Sequence, residues 1–91
     1  MTKKYDTLAA SFGYNLRTLE DAKKTATTKD DSIYYETAIA GYWTAVSTYE
    51  QIAQQENPRF DKVRFHDFVI EVQLGSRDIN GKKVTNKKKA A

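Results

Sequence analysis

The chain has 91 residues, of which 40% are hydrophobic, 30% charged and 12% aromatic. This length corresponds to one domain, and the composition is too apolar for a fully disordered chain and too polar for a membrane protein. The absence of cysteine and the single histidine, His66, exclude disulfides, cysteine-based zinc sites and catalytic centres built on two histidines. No apolar run approaches the roughly 20 residues that span a bilayer. We therefore expect a cytoplasmic protein without membrane contacts.

The net charge of +3 conceals two oppositely charged parts that meet near Pro58. Residues 1–56 contain six Lys or Arg against eight Asp or Glu, whereas residues 57–91 contain nine against four. All six tyrosines and the only tryptophan lie in the acidic part, and three of the four phenylalanines lie between residues 60 and 68. The basic second part is therefore where Lys and Arg could best neutralise the phosphates of a nucleic acid.

Apolar residues recur at three- and four-residue steps in the first part and predict two helices. We place these helices at about residues 4–28 and 31–56. Either Asp30 or Asp31 suits the N-cap of the second helix, because a carboxylate accepts hydrogen bonds from the free amides of the first turn. Pro58 ends that helix, since helical geometry is disfavoured at the residue before a proline. A short linker between long helices predicts an antiparallel hairpin.

The next apolar segment, residues 59–74, allows two interpretations. As a strand, the apolar residues from Phe68 to Leu74 alternate onto one face, and the β-branched residues among them favour this form. As a helix, the apolar residues of the segment would point all around the axis. Further along, Asn80-Gly81 is a turn signal that would lead into a short return strand. The pattern therefore favours a β-hairpin, with a third helix as the alternative.

We accordingly predict an α+β fold with a helical hairpin at residues 4–56 and a β-hairpin at residues 62–86. Residues 1–86 would form a single small domain, and residues 87–91 would form a mobile basic tail. The alternative is an all-α three-helix bundle, in which the third helix stops at Gly75, because glycine is favoured just beyond a helix C-terminus.

One local pattern suggests DNA binding. Residues 5–24 resemble the helix-turn-helix of bacterial and phage DNA-binding proteins, with Gly13 in the turn, where a positive φ is needed. The resemblance implies a recognition helix capped by Asn15 and a basic wing near the C-terminus. The nucleic-acid residues that follow from it are Asn15, Arg17, Lys24, Arg77, Lys82 and Lys83. The rival interpretation is one continuous helix, which tolerates Gly13 at a cost of about 1 kcal/mol.

Residues that could carry catalysis or bind a metal are few. His66 and Asp67 are adjacent, but neighbouring strand residues point to opposite faces, and an acid–base pair must converge on one substrate. Asp30 and Asp31 lack further oxygen ligands at the spacing of a cation-binding loop. We therefore expect no catalytic residue, no metal site, no cofactor and no enzymatic activity.

The second helix is rich in aromatic residues that spread over more than one face. Tyr and Trp are favoured anchors of protein interfaces, although these residues could instead pack beneath the C-terminal hairpin. The predicted interface residues are Tyr34, Tyr35, Tyr42, Trp43 and Tyr49. A hairpin of this size has a small core, so self-association into a homo-oligomer is also expected.

These patterns together predict a small, non-enzymatic protein-interaction module with a protein partner that the sequence does not identify. The size and simple composition would suit a phage or mobile-element accessory factor or inhibitor. The alternative function is DNA binding by the helix-turn-helix segment, assisted by the basic wing and tail.

Overall fold

The computed structural model describes residues 3–84, which form three packed helices. Helix α1 spans Lys3–Lys24, α2 spans Lys29–Glu56 and α3 spans Lys62–Gln73. Helix α1 contacts both other helices and packs most extensively against α3. The predicted α+β fold is wrong, and residues 3–84 instead have the all-α fold of the alternative prediction. None of the helices within residues 3–84 is long and apolar enough to cross a membrane.

The first two helices lie within about one turn of their predicted ends. The N-cap of α2 is Thr28, whose hydroxyl oxygen accepts a hydrogen bond from the Asp31 amide at 3.1 Å. The prediction that Asp30 or Asp31 caps this helix is therefore wrong. Both carboxylates instead lie in the first turn, where their negative charge interacts favourably with the helix dipole.

Most of the segment predicted as the first strand forms α3. Its buried side chains follow the i, i+3, i+4, i+7 spacing of a helix. These buried side chains are Phe65, Phe68, Val69 and Val72. The argument against a helix counted every apolar residue of the segment as a core residue, yet Val63 is 71% exposed and Leu74 is 72% exposed. Without these two residues, the remaining apolar pattern is helical.

Both ends of α3 are stabilised by local hydrogen bonds. The Asp61 side chain accepts from the Arg64 amide at 3.0 Å and so caps the N-terminus. At the other end, Gly75 has a φ of +86°, and the Ser76 amide donates to the Glu71 carbonyl at 2.8 Å. This arrangement is a Schellman motif, which ends a helix at a left-handed residue. The stop at Gly75, predicted for the all-α alternative, is confirmed.

The predicted turn at Asn80-Gly81 is also present, and Gly81 has a φ of +84°. The turn is closed by one isolated antiparallel bridge between Arg77 and Lys83, and no longer strand occurs within residues 3–84. The predicted β-hairpin is thus reduced to a tight turn. The last part of the return strand and the basic tail, residues 85–91, lie outside the described residues.

Helix α1 is unbroken across Gly13, so the turn implied by the helix-turn-helix resemblance is wrong. Gly13 does not form a turn; its lack of a side chain lets α1 pack closely against α3. A Cβ atom at Gly13 would lie 2.5 Å from the carbonyl oxygen of Val69 and 2.6 Å from the Cβ of Val72. Only a residue without a side chain allows α1 and α3 to approach this closely.

Aromatic rings fill the space among the three helices. The ring centroid of Phe65 lies 5.5 Å from Tyr49, 5.3 Å from Phe60 and 6.4 Å from Phe12. Tyr5 meets Phe60 edge to face at 4.7 Å. Such pairs each contribute about 0.5–1.5 kcal/mol beyond their buried area. Phe65, which is fully buried, therefore links all three helices.

Two glycines within helices provide a matched test of this packing. We expect Gly13→Ala to lower the free energy of unfolding by about 1–3 kcal/mol, because its methyl group would overlap α3. Gly41→Ala should raise it by about 0.5–1 kcal/mol, because alanine is the better helix former and a Cβ at Gly41 meets nothing within 4 Å. Urea denaturation of both variants measures the difference. An equal effect of the two substitutions would contradict the close approach of α1 and α3.

Candidate functional site

Helix α2 is the longest of the three, and only one side of it is covered. Its buried residues are Val46, Glu50 and Ala53. The opposite side, which we call the outer face of α2, is exposed to solvent. It consists of Ile33, Tyr34, Thr37, Gly41, Thr44, Thr48 and Ile52. No charged residue occurs from residue 37 to residue 49. This is unusual, because the solvent side of a helix normally carries charged residues.

Two of the three threonines of the outer face, Thr44 and Thr48, have hydroxyl groups that are already satisfied. The Thr44 hydroxyl donates to the Ala40 carbonyl at 3.1 Å, and the Thr48 hydroxyl donates to the Thr44 carbonyl at 2.9 Å. These hydroxyls therefore need no hydrogen-bond partner from outside the helix. If an apolar surface covered this face, few polar groups would lose a hydrogen bond to water, so the desolvation cost would be low.

The five predicted interface residues do not form one surface. Tyr34 is 66% exposed and lies on the outer face, with its ring 5.2 Å from that of half-buried Tyr35. Tyr42, Trp43 and Tyr49 are half-buried against the core. Tyr34 is therefore exposed, whereas Tyr42, Trp43 and Tyr49 pack against the core of the three helices and not beneath a C-terminal hairpin. The role of these residues in an interface stays a prediction.

A polar pair connects α2 to α3. The Glu50 side chain is only 2% exposed, and its Oε2 lies 3.0 Å from Nδ1 of His66. The ring of Trp43 packs against the His66 ring with centroids 5.1 Å apart. The hydrogen bond compensates a carboxylate that would otherwise be buried without a partner.

The sequence interpretation missed Glu50 because it assigned His66 to a strand beside Asp67. A signal was nevertheless present, since Glu50 lies on the same helical stripe as Val46 and Ala53, four residues after one and three before the other. A charged residue within an apolar stripe requires a partner from another element. Here that partner is His66, whereas Asp67 is exposed.

An open cleft of about 450 Å³ lies beside this pair. It is lined by Ser47, Glu50, Lys62, Val63, His66 and Asp67. A carboxylate bonded to Nδ1 holds an imidazole in one orientation and leaves Nε2 for other contacts. Among residues 3–84, however, no three His, Asp or Glu side chains converge as a metal site requires. The clearest role of the pair is to hold α3 against α2.

The residues assigned to nucleic acid divide between two regions. Arg17 and Lys24 line one cleft, but they share it with the carboxylates of Glu20 and Asp21. The Asn15 side chain donates to the Ser11 carbonyl within α1 at 3.0 Å, so it caps no recognition helix. This part of α1 thus presents charges of both signs, and the carboxylates would repel phosphates.

The basic turn after α3 is partly engaged within the fold. The Arg77 guanidinium donates to the Glu71 carboxylate and to the Gly81 carbonyl. It also lies over the Phe68 ring, 4.2 Å from the centroid, in a cation–π contact. Lys82 and Lys83 are exposed. Arg77 therefore stabilises the turn, and the two lysines are the cations that remain available there.

Comparisons with protein-family models, with curated proteins and with solved structures find no match. Only the chemistry of the chain's own surfaces therefore bears on its function. Within residues 3–84, the outer face of α2 and the cleft beside the Glu50–His66 pair have the most distinctive chemistry.

The titration of Tyr49 gives a first test of the core around the site. Burial raises the pKa of Tyr49 above its ordinary value of 10.0, and the nearby Tyr5 and Glu56 raise it further. The folded state then holds this proton more tightly than the unfolded state, so its contribution to stability is complete below pH 10 and disappears as the pH rises through the folded-state pKa.

We therefore expect Tyr49→Phe to weaken the fall in the free energy of unfolding above pH 10, measured by urea denaturation at several pH values. Tyr34→Phe, which removes the same hydroxyl group from an exposed ring, controls for a general effect of losing one phenol. The same pH dependence in Tyr49→Phe and in the unsubstituted chain would show that Tyr49 is not held in a buried environment.

The Glu50–His66 pair makes a separate prediction. We expect His66→Ala to lower the free energy of unfolding by about 1–3 kcal/mol, because it leaves the buried Glu50 carboxylate without its partner. The loss should be smaller in a Glu50→Leu background, where no carboxylate remains to be orphaned. A double-mutant cycle by urea denaturation measures this coupling. Equal losses in both backgrounds would show that the two side chains do not interact.

Proposed function

We propose that this chain is a small, non-enzymatic protein-interaction module that binds a protein partner through the outer face of α2. The observation that supports the proposal is the combination of exposure with an uncharged surface along this face. The centres of protein interfaces are depleted in charged residues and enriched in tyrosine. Tyr34, which is two-thirds exposed, has the character of an interface anchor.

The shape of the outer face favours a helical partner. Large side chains stand at its two ends, with Ile33 and Tyr34 at one end and Ile52 at the other. The residues between them are small, so the surface is shallow over about 25 Å of helix. Small side chains allow a second helix to approach at the short end of the usual 8–10 Å range of axis separations. Burying a large apolar side chain completely contributes about 1.5–3 kcal/mol.

An accessory factor or an inhibitor can act by binding alone, without catalysing a reaction. That this chain is such a factor of a phage or mobile element stays a prediction from the sequence, as does its cytoplasmic location. DNA binding by a helix-turn-helix lacks its turn in this chain, because α1 continues through Gly13.

The proposal is tested by adding a charge to the outer face. We expect Thr44→Arg to abolish retention of the protein partner in affinity purification from the source cells, with the bound proteins identified by mass spectrometry. The reason is that an arginine at this place would be buried without a counter-charge in the complex, which is costly.

Thr18→Arg is the matched control. Thr18 is also an exposed helical threonine, and its hydroxyl likewise donates to the carbonyl four residues earlier, at 3.0 Å. It lies on α1, away from the outer face of α2. A protein that the unsubstituted chain and Thr18→Arg retain, and that Thr44→Arg loses, supports the proposal. Retention of every bound protein by Thr44→Arg would contradict it.

A further inference from the structure

The imidazole ring of His66 is held in one orientation and is still open to solvent. The buried Glu50 carboxylate lies 3.0 Å from Nδ1, and the Trp43 ring packs against the imidazole with centroids 5.1 Å apart. The His66 side chain is nevertheless 40% exposed, and it lines the open cleft of about 450 Å³ beside α2 and α3. The chain thus presents a fixed imidazole to a cleft that a small group can enter.

The hydrogen bond to Glu50 determines which ring nitrogen is free to react. An ionised carboxylate only accepts hydrogen bonds, so Nδ1 carries the proton of the neutral ring and Nε2 carries the lone pair. A carboxylate on one ring nitrogen also makes the other nitrogen more basic. Nε2 makes no hydrogen bond with another residue among residues 3–84. It is therefore a nucleophile without a partner in the described part of the chain.

Two further polar side chains line the cleft and are unpaired within residues 3–84. Lys62 lies four residues before His66, which places both side chains on the same side of α3. Lys62 is also the first residue of α3, where the helix dipole adds positive potential. The Ser47 hydroxyl reaches the cleft from α2. A nucleophilic nitrogen, an ammonium group and a hydroxyl group thus border one cleft.

These groups match the chemistry of a phosphoryl group. Its oxygens are negatively charged and accept several hydrogen bonds, which an ammonium group and a hydroxyl group donate. Histidine is among the side chains that form covalent intermediates, and phosphoryl transfer depends mainly on positioning and on neutralising charge. The Asp67 carboxylate lines the same cleft and opposes this charge. Because Asp67 is exposed, water weakens the repulsion.

We propose that Nε2 of His66 accepts a phosphoryl group from a phosphoramidate or an acyl phosphate. The Nε2 lone pair forms a bond to phosphorus, while the bond from phosphorus to the leaving nitrogen or oxygen breaks and the leaving group keeps the electron pair. The Nδ1 proton stays in place, and Glu50 balances the positive charge of the phosphorylated ring. Lys62 and Ser47 bind the transferred oxygens. The site is separate from the outer face of α2, so this inference does not rest on the proposed function.

Potassium phosphoramidate, a small phosphoryl donor, tests the inference directly, because His66 is the only histidine. Intact-mass spectrometry follows the reaction at neutral pH. We expect one added phosphoryl group that is lost in acid, as in phosphohistidine and unlike phosphoserine, and NMR of the imidazole should place it on Nε2. The folded chain should react more than about tenfold faster than the urea-unfolded chain, because only folding positions the carboxylate and the lysine. N-acetylhistidine in both solutions corrects for the effect of urea.

Substitutions identify the groups that assist the reaction. Glu50→Gln should slow phosphorylation by about tenfold, because the amide lacks the charge that makes Nε2 more basic. Lys62→Gln should slow it by about two- to fivefold, as expected for an exposed charge contact. Lys82→Gln, which removes an exposed lysine from the turn after α3, is the matched control and should react as the unsubstituted chain does. Asp67→Asn should accelerate the reaction.

Several results would overturn the inference. A folded chain that reacts no faster than the unfolded chain would show that the cleft does not assist the transfer, and attachment to Nδ1 would contradict the role of Glu50. Equal rates for Lys62→Gln and Lys82→Gln would also overturn it. Lys62 is exposed, so this comparison decides even if circular dichroism shows that Glu50→Gln loses helix. None of these rates depends on the partner that Thr44→Arg tests, so the two proposals fail separately.

Discussion

The close approach of α1 to α3 at Gly13 is the constraint on which the rest of the structure depends. The Val69 carbonyl and the Val72 side chain occupy the space where a Cβ of residue 13 would lie. This contact brings Phe65 into the centre of the aromatic cluster, where it meets rings from α1 and α2. A larger residue at position 13 would separate the two helices and open the core, because protein interiors have no spare volume for an added methyl group.

The pairing of α1 with α3 determines which part of the α2 surface stays uncovered. With 12 residues, α3 is about 18 Å long, whereas α2 has 28 residues and is about 42 Å long. The short helix therefore covers only part of the long one. Where the two meet, Glu50 and His66 form their hydrogen bond. On the opposite side, the outer face of α2 remains open, and it is this uncovered, uncharged surface that the proposed function uses.

The first two helices could be predicted from the sequence, whereas the third was mistaken for a strand, and the reason is physical. Helices α1 and α2 are long enough for their apolar spacing to show the period, and their positions were predicted within about one turn. Helix α3 is short and rich in β-branched residues, so local propensity favoured a strand. Tertiary packing overrode that preference, because a helix buries Phe65 and Val69 on one side and leaves Val63 in solvent.

The candidate site was also only partly visible in the sequence. The uncharged run from residue 37 to residue 49 is readable directly, and Tyr34 was correctly placed among the aromatic residues of the second helix. The sequence did not reveal that Tyr34 is exposed while Trp43 and Tyr49 are half-buried. These three aromatic residues lie on the same helix, and the position of α3 decides which side of that helix is covered. Glu50 was missed for the same reason, since its partner comes from a segment that had been assigned to a strand.

The amino-acid sequence by itself determined the two long helices, the stop at Gly75, the turn at Asn80-Gly81 and the absence of charge along the middle of α2. These features depend on residues close together in the chain, through periodicity, left-handed glycine conformations and side-chain type. The tertiary structure alone decided that the third segment is a helix, that Gly13 serves packing and that Glu50 meets His66. Each of these depends on which distant segment lies alongside, and burial is a property of the packed helices together.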